Sequence, residues 1–435
     1  MTDHRTKQIA PPVRSKPSIR PVHPVRRTPP QSRFFLRLLF WVFLVMMALT
    51  IKQPSPSMTI DIKEAGAQGD GLTDDSAIFT QVLHQAAERK GLTRIIIPSG
   101  TYRLLVKHPL QLHSNVRLIG RDKPVLKFTV EPPKSSGYET MMISGRHVLI
   151  DGVIIDGEDR FIRGIGIHPG SANVAITNSV IQNMRQGTDP DSPLYSAVVS
   201  GIMIYGDTAD IRITSSLITR IHAMNQQPVA RGIMVWNASG ASPAKRVMIS
   251  DNEISYISPR EDADGIFFDI SSAPAELSDS IIENNRIHHS AKRGIKISAP
   301  GVIVRNNHIT NPYSGDNRYQ TDISEPLPQD MYSAISVYAS HVTLIGNIID
   351  GTGSYYAAIE ADFEALQHLV IENNKITGGN DVEAQKMTTG IRLGAVRHSR
   401  IRDNWIRDVN TGIRAEDAQA LKGILSENHV SELME

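Results

Sequence analysis

A two-part unit recurs along this chain from about residue 147, and no other feature limits the possible fold so strongly. One half reads apolar-x-x-Asn-x-apolar. It appears as ISDNEI (249–254), IENNRI (282–287), VRNNHI (304–309), LIGNII (344–349), IENNKI (371–376) and IRDNWI (401–406). The other half reads Gly-Ile-x-apolar and begins at Gly164, Gly201, Gly232, Gly265, Gly294, Ala334, Ala358, Gly390 and Gly412, at spacings from 22 to 40 residues. A period near the lower bound holds three short strands and their turns, and insertions in the turns give the longer ones. No unit contains an amphipathic run long enough for paired helices, so helical solenoids are excluded. The pattern predicts an all-β, single-stranded parallel β-helix of about ten coils. The Asn column (Asn252, Asn285, Asn307, Asn347, Asn374, Asn404, Asn428) then stacks from rung to rung, each amide bonding the next at a buried corner.

The chain outside the repeat is unlike it. Residues 1–33 carry eight Lys or Arg against Asp3 alone and are rich in Pro, the composition of a disordered basic tail. Phe34–Ile51 follows, apolar except for Arg37, just long enough at about 1.5 Å per residue to cross a bilayer. Basic residues crowd its N-terminal side, which predicts a single-pass anchor in the inner membrane with the tail cytoplasmic. Residues 52–58 form a short linker, and residues 59–435 lie outside, which in a Gram-negative cell is the periplasm. The whole chain has 46 Lys+Arg and 45 Asp+Glu; ten and one of these precede position 53, leaving 36 and 44 beyond it and a balance of −8. A mildly acidic outer domain makes nucleic acid an unfit partner. The absence of Cys excludes disulfides, thiolate metal sites and cysteine nucleophiles.

An open solenoid end exposes unpaired strand groups and needs a cap. Asp74–Arg89 supplies a helix, with Asp at its start, Ile78, Val82, Leu83 and Ala86 along one face, and Gly91 after its end. Together GAQGDGLTDDSAIFTQVL (66–83) and IIIPSGTYRL (95–104) resemble the opening of the pectate lyase superfamily. That resemblance is specific over about residues 59–125 and continues as repeat pattern to about 430. It implies a right-handed parallel β-helix and a carbohydrate substrate. The Gly and Asp residues of the opening motif, Asp70, Asp74 and Asp75 among them, shape a turn and a helix start and carry no chemistry.

Aligning the Gly-Ile-x-apolar strands assigns faces, because stacked rungs keep side chains in columns and alternate them in and out. One outward column is Gly166, Met203, Met234, Phe267, Lys296, Ser336, Glu360, Arg392 and Arg414. The next is His168, Tyr205, Trp236, Asp269, Ser298, Tyr338, Asp362, Gly394 and Glu416. At the turn before the Gly stand Arg163, Ser200, Arg231, Asp264, Arg293 and Ser333. Tyr205, Arg231, Trp236, Tyr338, Glu360 and Asp362 suit substrate binding: rings stack on pyranose faces, and charged groups bind hydroxyls or a carboxylate. Two insertions, 184–197 and 311–333, are long enough to wall a cleft beside them.

Asp264, Asp269, Arg293 and Lys296 are the catalytic candidates. A β-eliminating lyase or an epimerase needs a cation to neutralise the uronate carboxylate and a base for the adjacent C–H proton, and elimination also needs an acid for the leaving oxygen. Asp264 and Asp269 can also ligate a calcium ion, although a third carboxylate is lacking. DADG (262–265) resembles the first catalytic element of the polygalacturonases, but Lys292-Arg293 and Ser333 stand where that family carries paired aspartates and a His. His288-His289 reads as a surface turn. The sequence therefore points to a membrane-anchored protein acting on a uronic-acid polysaccharide by lyase or epimerase chemistry, beside polysaccharide synthesis or export machinery. Two other classes stay open: a hydrolase of polygalacturonase type, and a non-catalytic binding or scaffold β-helix.

Overall fold

The computed structural model describes residues 57–130, 137–187, 189–223, 229–258, 263–269, 276–290, 292–310, 333–350, 357–362, 365–378, 389–416, 423 and 425–432. The basic tail, the Phe34–Ile51 segment, most of the linker and residues 311–332 of the second insertion lie outside them. Among the described residues no helix is long and apolar enough to cross a membrane.

Three parallel sheets run the length of the domain, sheets A and B with 13 strands each and sheet C with 11. The chain visits A, B and C in turn, and every strand pairs with its equivalents one turn before and after, which is a parallel β-helix. The described residues thus form thirteen rungs rather than about ten. The additional ones come from residues 58–143 and from 425–432, where no Gly-Ile signature marks the strands. In the first rung the helix Ser76–Ala87 takes the position of a sheet C strand and packs on Leu110–Leu112, closing that end. Its buried face is Phe79, Val82, Leu83 and Ala86, with Phe79 in the place expected of Ile78. The wider aromatic ring meets Tyr102 edge-on at 5.5 Å. Asp75 occupies the N-cap position, but its carboxylate accepts the N–H groups of Gln68 (2.7 Å) and Gly69 (3.0 Å) instead of capping.

The corner between sheets A and B explains the Asn signature. The residue before each buried Asn is left-handed, as at Asp251, Asn284, Asn306, Gly346, Asn373 and Asp403, and Asn, Asp and Gly tolerate that conformation best. The Asn then faces inward. Asn285 Nδ2 donates to Asn307 Oδ1 (2.9 Å) and to Ile249 O (2.9 Å), and Asn307 Oδ1 also accepts Asn285 N–H (3.0 Å). The ladder runs from Asn252 to Asn428 and continues backward through serines. Ser216 N–H donates to Asn252 Oδ1 (3.0 Å), and Ser179 N–H donates to Ser216 Oγ (3.2 Å).

The Gly column has a steric cause. A Cβ on Gly232 would stand 2.4 Å from Gly265 O and 2.7 Å from Ile254 Cγ2 of sheet B, so Gly lets the two sheets close at this rung, while Ala334 and Ala358 fill the same column further on. The Ile after each Gly enters the core: Ile165, Ile202, Ile233, Ile266, Ile295 and Ile391 are fully buried in one continuous apolar cluster. Each contributes roughly 2–3 kcal/mol of burial. His288 and His289 lie in the strand Arg286–Ser290 rather than in a turn. His288 is buried there, with its Nε2 3.2 Å from Glu253 Oε1.

Candidate functional site on the outer face of sheet C

The register of sheet C reproduces the outward column residue for residue. Met203 pairs with Met234, Met234 with Phe267, Phe267 with Lys296, Lys296 with Ser336, Ser336 with Glu360 and Glu360 with Arg392. Tyr205 pairs with Trp236, and Asp269 with Ser298. The residues expected at the turn before the Gly belong to the strands themselves. They form a third column, Glu139, Arg163, Ser200, Arg231, Asp264 and Arg293, at the edge where the longer B-to-C connections arrive.

That third column is buried. Asp264 is clamped between two guanidiniums, with Arg231 Nη1 3.2 Å from Oδ2 and Arg293 Nη1 3.2 Å from Oδ1, and Asp264 and Arg293 are each 0% exposed. Arg293 Nε donates to Ser336 Oγ (3.2 Å), Ser336 Oγ donates to Glu360 Oε2 (2.8 Å), and Tyr338 OH donates to Glu360 Oε1 (3.3 Å). One polar chain therefore crosses five consecutive rungs. Burial pushes the Glu360 carboxyl above its ordinary range, against the opposing pull of Ser336 and Arg293, and burial likewise pushes the Tyr338 phenol up. Lys296 stands above this chain, its Nζ 4.7 Å from the Phe267 ring centroid and 5.5 Å from that of Tyr338. Both contacts are cation–π interactions.

Met203, Met234 and Phe267, outward by register, are nonetheless buried, and Val198, Tyr205 and Trp236 pack on them. The Tyr205 and Trp236 rings meet edge-on at 6.1 Å, both part-exposed. Asp362 is ion-paired with Arg392. Asp269 is half-buried at the end of its strand. The structure thus joins Arg231, Asp264, Arg293, Tyr338 and Glu360 in one network with Lys296 over it, and keeps the Tyr205–Trp236 pair beside the apolar row.

A second polar cluster went unread in the sequence. Arg163 Nη1 donates to the hydroxyls of both Tyr138 and Tyr205, and its guanidinium lies 4.7 Å from the Tyr138 ring centroid. Glu139, 1% exposed, places Oε1 2.8 Å from His168 Nε2. A cleft of about 460 Å³ opens here, lined by Tyr138, Glu139, Phe161, Asp189, Pro193 and Leu194; the insertion 184–197 walls this cleft, which none of Tyr205, Arg231 and Trp236 lines. Tyr138 and Glu139 lie in GYETMMI, which has no Gly-Ile signature; the register to Arg163 through Met141 and Ile165 was the signal that could have placed them.

A family described as rhamnogalacturonase A/epimerase, pectate lyase-like matches residues 59–324. The chain belongs to this family. The matched stretch contains Asp264, Asp269, Arg293 and Lys296, whereas Tyr338, Glu360 and Asp362 lie beyond it. Among curated proteins, the chain is 26% identical over 214 residues to a glucan 1,3-beta-glucosidase of Cochliobolus carbonum, covering 42% of this chain and 26% of that protein. It is 27% identical over 169 residues to the SPbeta prophage-derived uncharacterized protein YomE of Bacillus subtilis (strain 168), covering 38% and 24%. It spans about a quarter of the length of these curated relatives. Of solved structures, an exopolygalacturonase from Thermotoga maritima superposes with TM-score 0.51 at 12% identity, covering 87% of this chain and 93% of that one. The surface adhesin PfbA of Streptococcus pneumoniae gives 0.52 at 14%, covering 86% and 100%. These two likenesses establish the fold.

A polygalacturonase-type hydrolase needs neighbouring carboxylates, yet the in-register neighbours of Asp264 on both sides are arginines. A calcium ion needs several carboxylate oxygens, and those of Asp264 face guanidiniums; among the described residues no group of three or more His, Asp or Glu converges. Asp264 in this setting does not fit a calcium ion.

Proposed function

We propose that the chain acts on a uronic-acid polysaccharide lying along the outer face of sheet C, by lyase or epimerase chemistry. The observation that carries this reading is the placement of Lys296: an ammonium held by two aromatic rings above a buried network in which Arg231 and Arg293 share Asp264 and lead to Glu360. Lys296 thus presents an ammonium at the middle of the face, where an anionic polymer can meet it. In this reading Lys296 meets the uronate carboxylate and lowers the cost of removing the adjacent C5 proton. Tyr338 and Glu360 handle the proton, since burial makes the Glu360 carboxylate a stronger base than a free one. In elimination the C5–H electron pair forms the C4=C5 bond, the C4–O bond breaks, and the leaving oxygen takes a proton. In epimerisation the proton returns to the opposite face of C5. Asp264 and Arg293 act from beneath by fixing the network, and Asp269 and Asp362 flank the sugar hydroxyls. Tyr205 and Trp236 offer ring faces to neighbouring sugars.

The family and the fold support a carbohydrate substrate. The proposal also takes Phe34–Ile51 as a single-pass anchor that tethers the domain outside the inner membrane beside polysaccharide synthesis or export machinery; its support is the apolar run and its basic N-terminal flank. The test is incubation of the full chain with polygalacturonate, polymannuronate, polyguluronate and glucuronan. Ultraviolet absorbance from unsaturated uronate marks a lyase, and exchange of the C5 proton with deuterated solvent marks an epimerase. New reducing ends without absorbance would mean hydrolysis, and binding without any product would mean a non-catalytic groove.

A further inference from the structure

Arg163 is 7% exposed, and its guanidinium forms no ion pair among the described residues. Buried arginines elsewhere on this face do: Arg231 and Arg293 share Asp264. The carboxylate beside Arg163 in register is that of Glu139, and it is turned to His168 Nε2 at 2.8 Å. The hydrogen bonds of Arg163 go to the hydroxyls of Tyr138 and Tyr205, both accepting from Nη1, and its buried Nε has no partner. A buried cation without a counter-ion is costly and is ordinarily paired.

The tyrosines add to the imbalance. Each hydroxyl accepts from Arg163 and keeps its own proton to donate. Their oxygens are 3.4 Å apart, so one can donate to the other and at least one O–H stays available. Tyr138 is 42% exposed and, with Glu139, lines the cleft of about 460 Å³, so the Tyr138 side of the cluster borders accessible space. Trp236 stands edge-on to Tyr205 one rung further on, offering an apolar face to a ring attached to whatever anion arrives.

We infer that Arg163, Tyr138 and Tyr205 form a carboxylate-binding subsite for a hexuronate residue, several rungs toward the N-terminal cap from Lys296. The inference rests on the reading of this face as a polysaccharide groove, and it adds a second grip on the chain away from the reacting sugar. Planar guanidinium and phenol donors match the acceptor-only carboxylate. The subsite selects acidic over neutral sugars and rewards longer oligomers, because only these span both positions.

The experiment is titration calorimetry of the full chain with galacturonate and mannuronate hexamers, a sulfated galactan hexamer and an uncharged cello-oligomer, on the wild type, Arg163→Met, Arg163→Lys and Tyr138→Phe. The subsite predicts that Arg163→Met weakens a uronate hexamer about tenfold or more, while uncharged binding is unaltered. Arg163→Lys keeps the charge without the fork and falls between, as does Tyr138→Phe. The melting temperature of Arg163→Met stays level or rises, because an unpaired buried cation has been removed. Wild-type affinity for uronate hexamers that Arg163→Met retains in full overturns the inference and leaves the groove reading standing. A fall in melting temperature with equal loss of charged and uncharged binding overturns it too, by making Arg163 structural. Tighter binding of the sulfated hexamer would reassign the site to sulfate esters. A wild type that does not prefer any charged hexamer to the uncharged one overturns the groove reading itself.

Discussion

Ser336 Oγ donates a 2.8 Å hydrogen bond to Glu360 Oε2 and so joins the buried arginine–aspartate clamp to the carboxyl that faces Tyr338. Because Arg293 Nε donates to the same hydroxyl, a change at either end is felt along the chain. Glu360 is the member whose charge state depends on this link, since burial raises its pKa and Ser336 opposes the rise.

That shift has a stability consequence. The folded pKa of Glu360 lies above the ordinary value of 4.5, so folding favours the protonated carboxyl. Its stabilising contribution is complete below 4.5 and is lost as pH rises through the folded value. Glu360→Gln, which keeps an acceptor for Ser336 and cannot ionise, should gain melting temperature relative to wild type as pH climbs above 4.5. A pH series of thermal melts checks it, and a difference that shrinks with rising pH would contradict the burial argument.

Removing Asp264 should damage the fold before it reports on chemistry. Asp264→Ala leaves two buried guanidiniums facing each other and is expected to cost about 3–5 kcal/mol in chemical denaturation. Replacing all three members, Arg231→Met, Asp264→Leu and Arg293→Met, should recover most of that loss because no buried charge remains. Denaturation curves of both variants decide it, and an Asp264→Ala protein as stable as wild type would contradict the clamp.

Much of this site was legible because the Gly column is sterically forced. A chain that needs Gly232 and Gly265 at the sheet corner announces its register, and the pairs Met234–Phe267 and Phe267–Lys296 follow by counting. Counting along strands does not reveal depth. Arg231, Asp264 and Arg293 read as a charged patch, yet all three are buried at the edge where the B-to-C connections arrive. Nor does it reach rungs without the signature, such as that of Tyr138 and Glu139; Ser179 and Ser216 lie on rungs that carry Gly201 and Gly232, but Ser stands there in place of the ladder's Asn.

The ladder predicts a positional gradient. Asn307→Ala deprives Asn285 N–H and Nδ2 of their acceptor and leaves Ile282 O without its donor, all fully buried, at a cost of about 3–5 kcal/mol. Asn428→Ala removes the same kinds of bond at a part-exposed end, where water can replace them, and should cost about 1 kcal/mol. Equal losses in urea titrations of the two variants would show that the ladder is not a buried network.

The central claim is that the ammonium of Lys296 serves chemistry on a uronic-acid polymer. Lys296→Met keeps the apolar stem between Phe267 and Tyr338 and removes only the charge, so the fold should persist. The most direct measurement compares the two proteins for unsaturated-uronate absorbance and C5 proton exchange on the four polyuronates. The account predicts product from the wild type on at least one polymer and a loss of about a hundredfold or more in Lys296→Met at unchanged melting temperature. Full activity in Lys296→Met, or no product from the wild type on any polymer, would contradict it.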